Sequence, residues 1–212
     1  MKKLDKSKIL ITSGPTIEMW DSVRYLSNMS TGKLGYHLAK EAREYGADVT
    51  LISSVKSNII EGVKFIRVVS AIDMFEQVKR KFSNCDIFIS AAAVCDYRPA
   101  KKKKGKIKKT EPIRTIKLIK NPDILNWAGK QNREQILVGF SLQDRMDKKE
   151  GLKKKKEKNC DIMVVNGTEN LGAERRNFGL IYNNTWKEYN NLSLNKTAAV
   201  ILEKCVEISK KP

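Results

Sequence analysis

The chain has 212 residues, a hydrophobic fraction of 41% and a formal net charge of +18, from 42 Lys and Arg against 24 Asp and Glu. That length suits one good-sized core, or one domain with a flap, and the apolar fraction excludes wholesale disorder. A single histidine, His37, excludes multi-histidine metal sites; beside Leu38 and Ala39 in a helical stretch it reads as structural, so chemistry falls to Lys, Arg, Asp, Asn and backbone N–H groups.

In chain order, the basic start Met1-Lys2-Lys3 precedes an apolar run only one strand long, so neither a signal peptide nor a membrane span is expected. Lys8–Ser13 reads as a buried strand, followed by the loop Ser13-Gly14-Pro15-Thr16. Lys33–Tyr45 reads as a helix with Leu34, Leu38, Ala42 and Tyr45 on one side, Ser30 and Thr31 as candidate caps and Gly46 as its stop. Asp48–Ser53 and Lys64–Val69 are the second and third strands. Ser70 with Asp73 predicts a capping box, opening a helix with Ile72, Phe75, Val78 and Phe82 on its apolar face. Asp86–Ala93, Gln135–Phe140 and Asp161–Val165 are strands four to six, with a lysine-rich helix over Lys148–Lys158. Tyr97 to Ile119 is basic, carries Pro99, Gly105 and Pro112, and lacks periodicity, which marks a functional flap or disorder. Gly167–Asn177 is irregular, Phe178–Tyr182 and Trp186–Tyr189 form a hairpin around Asn183-Asn184, and Thr197–Ile208 is a closing helix.

Strands alternating with helices predict an α/β fold: a Rossmann-like, mainly parallel sheet flanked by helices, with a basic flap loop and a C-terminal hairpin, all in one domain over residues 1–212. Cys85, Cys95, Cys160 and Cys205 are scattered, without a C-x-x-C pair, and read as reduced, mostly buried thiols of a cytoplasmic protein. Ligands of such sheets bind at strand carboxyl ends where the strand order reverses. That places Ser13–Thr16 beside Ala91–Arg98, where small Ala91–Ala93 admit a flat base and Asp96 can accept from a hydroxyl or an amine; a packed strand end with a capping Asp is the alternative. Asn28–Gly35 reads as a phosphate cradle, because a helix start offers free N–H groups and Gly32 and Gly35 permit close approach; a plain helix start with incidental glycines is the alternative.

Taken together, S-G-x-T (13–16), D-x-V-R-Y-L-S-N-x-S-T-G-x-L-G (21–35), A-A-A-V-x-D-Y-R-P (91–99), K-I-K-K (106–109), K-N-P-D-I-L (120–125) and V-G-F (138–140) resemble the phosphopantothenoylcysteine synthetase (phosphopantothenate–cysteine ligase) family over nearly the whole chain. The resemblance implies a ligase of coenzyme A biosynthesis that joins 4′-phosphopantothenate to cysteine. An acyl-nucleotidylate is formed first, with release of pyrophosphate, and the cysteine amine then displaces the nucleoside monophosphate. It implies Mg²⁺ with the triphosphate, no dedicated protein metal ligands, and a homodimer. With its first strand at residue 8 the chain is expected to be the stand-alone form, so a separate decarboxylase is a candidate partner.

By the same resemblance, Gly14, Ser30, Gly32 and Gly35 line the phosphate cradle, and Asn28 hydrogen-bonds the carboxylate or acyl oxygen. Arg24 holds the Asn28 loop or the substrate carboxylate, with a surface ion pair as the alternative. Lys106 is the flap lysine that folds over the triphosphate, though a solvated loop charge looks the same. Ala92 and Asp96 contact base and ribose, as do Pro122, Asp123, Ile124 and Leu125, which also make an ordinary helix start. Phe140, at the end of its strand, packs on the nucleotide or in the core, and Lys154 and Lys158, four apart, read phosphate from one helix face.

Three features depart from the family pattern. Pro15 removes an N–H from the first loop. The segment after strand six reads Leu171-Gly-Ala-Glu-Arg-Arg-Asn177, which leaves CTP, the bacterial expectation, open against ATP. The flap is unusually rich in lysine. Two other functions compete. A Rossmann-like reductase is weakened by the missing G-x-G-x-x-G and Tyr-x-x-x-Lys signatures. A basic nucleic-acid-binding protein would show steeply salt-dependent binding, but the lysine runs lack interleaved aromatics, so no nucleic acid and no membrane is expected as a partner.

Overall fold

The computed structural model describes residues 3–56, 58–110, 112–183 and 185–209. β1 (Lys8–Ser13) leads through a short hairpin, β2 (Ile17–Met19) and β3 (Tyr25–Ser27), into α1 (Lys33–Glu44). Then follow β4 (Asp48–Ser53), β5 (Val63–Arg67), α2 (Ala71–Phe82), β6 (Ile87–Ser90), β7 (Tyr97–Pro99), β8 (Leu118–Lys120) and α3 (Ile124–Gly129). β9 (Ile136–Gln143), α4 (Lys148–Glu157), β10 (Ile162–Gly167), a single 3-10 turn (Thr168–Asn170), β11 (Arg175–Tyr182), β12 (Thr185–Ser193) and α5 (Leu194–Ser209) complete the chain.

Eight strands form one sheet in the order β12-β11-β10-β9-β6-β1-β4-β5. Its strands from β10 to β5 are parallel, while β11 and β12 add an antiparallel hairpin at one edge. The expected Rossmann-like α/β class is therefore correct. Both faces are covered, so β1 is apolar at successive positions rather than alternating. Ile9 and Ile11 pack toward α1 and α5, and Leu10 packs toward α2 and α3. Each such fully buried side chain contributes about 1.5–3 kcal/mol. The chain leaves β1 for β4 on one side and returns to β6 on the other, so strand order reverses between β1 and β6.

Local chemistry sets the element ends. The capping box of α2 is formed: Ser70 Oγ accepts from Asp73 N at 3.2 Å and Asp73 Oδ2 from Ser70 N at 2.9 Å. The apolar face of α2 is rotated from the expected one, because Ala71, Met74, Val78 and Phe82 are buried whereas Ile72 is exposed. Of the two expected caps of α1, Thr31 is present: its Oγ1 accepts from the first helical N–H, Lys33 N, at 3.4 Å. The N-cap position of α1 is Gly32 at φ 73, a left-handed conformation that glycine tolerates best. Ser13 Oγ donates to Gly32 O at 2.9 Å, tying β1 to the helix start.

Several boundaries also differ from expectation. The fourth expected strand stops at Ser90, since Ala91 and Ala92 turn toward the crevice; β9 runs past Phe140 to Gln143; and β11 takes in the stretch expected to be irregular, from Arg175. Asn183 takes up the left-handed turn conformation of the last hairpin (φ 44), while its expected partner Asn184 lies outside the described residues.

Candidate functional site

At the switch point the two strand ends meet as the topology requires. Ala93 N donates to Gly14 O at 3.0 Å and Thr16 N to Ala93 O at 3.2 Å, continuing the sheet by one bridge. Asn28 fastens this junction, its Nδ2 donating to Ala93 O at 3.1 Å and Val94 O at 3.2 Å. Its amide is thus the bolt across the reversal, which the motif alone did not reveal.

On one side of the junction lies a cavity of about 610 Å³. Ala92, Asp96, Pro122, Asp123, Ile124, Leu125, Phe140, Lys154 and Lys158 all line it, from four separated segments. Asp123 Oδ1 caps α3 by accepting from Asn126 N at 2.8 Å, and its Oδ2 accepts from Lys158 Nζ at 2.6 Å. Lys154 pairs with Glu150 at 2.7 Å. The lysines face the cavity because Gly151 lets α4 lie tight on the sheet. A Cβ there would come within 2.6 Å of Val165 and 2.9 Å of Ile181. Asn121, quoted in the K-N-P-D-I-L motif without a role, also lines the cavity and ties its wall: its Nδ2 donates to Cys95 O at 2.8 Å and its Oδ1 accepts from Arg98 Nη1 at 3.0 Å.

A second cavity adjoins, sharing Ala92, Phe140 and Leu142 with the first. Ser30, Gly32 and Gly35 line it as expected. Leu34 and Gly35 lie in the first turn of α1, where N–H groups have no partner within the helix, so the cavity floor meets the positive end of a dipole. Gly14 does not share this wall; it is buried behind Gly32, against Ser54 and Val55. Three residues not singled out from sequence complete the lining: Asn166, Asn170 and Arg176.

The flap is better anchored than its composition suggests. β7 and β8 pair at its root. Its middle docks on the hairpin of β2 and β3: Lys103 N donates to Trp20 O at 2.8 Å, and buried Asp21 accepts through Oδ2 from Ile107 N at 3.3 Å. Arg24 Nη2 donates to Ile107 O at 2.7 Å, while its Nε stands 3.4 Å from Asp21. Arg24 therefore joins hairpin to flap. Burial opposes ionisation of Asp21, but the N–H groups of Arg24, Val23 and Ile107, with the Arg24 guanidinium, outweigh it and lower the pKa to about 2. Lys106 is exposed, between two flap residues that the hairpin holds, Gly105 through Ser22 N at 3.4 Å and Ile107 through Asp21 and Arg24.

The cysteines are unpaired and buried; desolvation pushes Cys85, Cys160 and Cys205 up to about 12, which makes them poor nucleophiles. His37 bonds Asn195, holding α1 to the start of α5, and lines a separate cavity with Ser13, Gly32 and Tyr36. Among the described residues no group of three His, Cys, Asp or Glu could hold a metal ion, and no helix is long and apolar enough to cross a membrane.

A doubly wound sheet with a glycine crossing and two adjoining cavities at its switch point defines a Rossmann-like α/β protein. The chain belongs to the family described as the DNA/pantothenate metabolism flavoprotein C-terminal domain, whose model matches residues 4–208. It is 36% identical over 204 residues to the coenzyme A biosynthesis bifunctional protein CoaBC of Borreliella burgdorferi, covering 94% of this chain and 52% of that protein. Against the CoaBC protein of Bacillus subtilis it is 41% identical over 172 residues, covering 80% and 42% respectively. The chain thus spans about half the length of the curated relatives it matches. Among solved structures, the C-terminal domain of a CoaBC bifunctional protein superposes with a TM-score of 0.85 at 32% identity, covering 99% of both chains. The likeness to the synthetase family read from the motifs is thereby shown.

Proposed function

We propose that this chain is a phosphopantothenate–cysteine ligase acting in coenzyme A biosynthesis, with CTP as the activating nucleotide by likeness to the bacterial family pattern, and that residues 1–212 form a single ligase domain. The observation that carries this reading is the convergence of Ala92, Asp96, Pro122–Leu125, Phe140, Lys154 and Lys158 on one cavity beside the glycine crossing.

A carboxylate is a poor acyl donor, so the first step is attack of the pantothenate carboxylate on the α-phosphorus, with pyrophosphate leaving. The cysteine amine then attacks the acyl carbon and the nucleoside monophosphate leaves. Both steps need two anions held in line and added charge stabilised. The base would lie between Ala92, Phe140 and the start of α3, with Asp96 at the ribose. The phosphates would lie over the first turn of α1, with Lys154, Lys158 and the flap residue Lys106 closing on them. Asn28 would hold the crossing in register and, turned from its carbonyls, offer a neutral donor to the acyl oxygen. Mg²⁺ would arrive with the triphosphate, because it prefers phosphate oxygens and water to an all-protein cage.

A homodimer suits the exposed apolar side chains Val23, Tyr25, Tyr97 and Leu118, all on the small hairpins outside the main sheet. A cytoplasmic setting suits the four free thiols. Incubation with Mg²⁺, 4′-phosphopantothenate, cysteine and either CTP or ATP should yield phosphopantothenoylcysteine by mass spectrometry, with CTP preferred. Folded protein that makes no product with either nucleotide would refute the assignment.

A further inference from the structure

Arg176 stands apart from the other cations of the crevice. Lys158 faces Asp123, Lys154 faces Glu150 and Lys33 pairs with Glu174. Arg176 lines the cavity over the start of α1, yet its Nε is buried without a hydrogen-bond partner. A guanidinium held partly out of water with donors unspent is costly unless an anion completes it. Burial pushes its pKa below the usual guanidinium value, against the pull of Glu174.

The chain is folded to put it there. β11 slips register against β12 between Arg176 and Phe178, and such a bulge re-aims the neighbouring side chain. Buried Asn170 holds the slip: its Oδ1 accepts from Asn177 N at 3.1 Å and its Nδ2 donates to Asn177 O at 2.6 Å. Asn177 Oδ1 in turn accepts from Asn191 N at 2.8 Å. Asn170 also lines the cavity, so the residue that holds the bulge and the residue it aims share one wall. Arg175, one position earlier, goes the other way and bonds Asn191 through Nε at 2.7 Å and Nη2 at 2.8 Å.

We propose that Arg176 is a phosphate-reading residue, whose guanidinium takes phosphoryl oxygens of a substrate lying over the start of α1. The planar fork suits two oxygens of one phosphate, and the helix N–H groups approach from the other side. This rests on the ligase reading for its two phosphate sources, the nucleotide polyphosphate and the phosphate ester of 4′-phosphopantothenate.

The test is calorimetric binding of inorganic pyrophosphate and of inorganic phosphate, alongside KM for each substrate, in the wild type, Arg176→Ala, Arg176→Lys and the control Arg175→Ala. Arg176→Ala should weaken anion binding about 10- to 100-fold, the range for a lost charge-assisted hydrogen bond. Arg176→Lys, which keeps charge but not the fork and serves should the alanine variant misfold, should lose less, and Arg175→Ala should bind as the wild type. A rise in KM for the nucleotide with weakened pyrophosphate binding assigns the polyphosphate; a rise in KM for 4′-phosphopantothenate with weakened phosphate binding assigns the ester. Unchanged binding and unchanged KM values in folded Arg176→Ala, from a wild type that turns over, would overturn the role of Arg176 while leaving the ligase reading intact. A wild type that neither turns over nor binds pyrophosphate would sink both.

Discussion

The two cavities of the crevice settle their charges differently. In the larger one Lys158 is met by Asp123 of the same wall and Lys154 by Glu150 of its own helix. In the smaller one Lys33 pairs with Glu174, but Arg176 Nε is buried with no partner. A wall whose ions neutralise one another can present shape to a planar group without strong local charge. A wall with uncompensated positive charge is completed by an anion. One ligand with a flat end and a polyanionic end would answer both.

Substitutions can break that contrast, beginning at the seam. Asn28→Asp replaces the donor bolting Ala93 and Val94 with a carboxylate facing two carbonyl oxygens and any incoming anion. Turnover should fall about 100- to 1000-fold, the scale for losing one preorganised donor. The melting temperature should stay within a few degrees, because the side chain is exposed. Near-full activity would remove Asn28 from the site. Next in size is Gly35→Ala, whose Cβ would collide with the Ser13 side chain under the crossing. Denaturant unfolding should show a loss of about 1–3 kcal/mol, as for other overpacked sites, with pyrophosphate binding weakened and the larger cavity unchanged.

Asp21→Asn should act on the flap rather than on either cavity. Without the full carboxylate the grip on Ile107 loosens, and trypsin should cut faster in the lysine run Lys101–Lys104. The pH dependence has a definite sign. The folded pKa of Asp21, about 2, is below the ordinary carboxylate value, so its stabilising contribution is complete above about pH 4 and fades as pH falls through 2. The stability difference between wild type and Asp21→Asn should narrow over that window; a difference that widens on acidification would contradict the clamp. The smallest effect belongs to Lys154→Ala. Its ion pair with Glu150 is half exposed, so stability should change by less than about 1 kcal/mol, while KM for the nucleotide rises if this lysine also meets phosphate.

Much of this arrangement was legible in the sequence because it rests on periodicity and motif. β1, α1 and the Ser70–Asp73 capping box follow from local patterns, and the i, i+4 spacing of Lys154 and Lys158 does place both on the cavity side. The misreadings have tertiary causes. Strands of three residues such as β2, β3, β7 and β8 have too few positions to show alternation. β2 is positioned by Ile17 N donating to distant Val69 O at 2.9 Å. Thr31 does accept the first helical N–H, but Gly32 in a left-handed conformation takes the cap position, its carbonyl bonded by Ser13. Arg176 lay in the Leu171–Asn177 segment that departs from the family pattern, but the sequence did not single it out, because its direction depends on a bulge held by Asn170, a buried polar residue outside any motif.

The most direct test of the central claim is rapid-quench measurement of pyrophosphate after mixing the protein with Mg²⁺, CTP and 4′-phosphopantothenate, with and without cysteine. A nucleotide held across both cavities predicts a fast burst of roughly one equivalent per site without cysteine, the mark of an accumulated acyl intermediate, and steady release when cysteine is added. Pyrophosphate release that ignores 4′-phosphopantothenate, or none from folded protein with CTP or ATP, would contradict it.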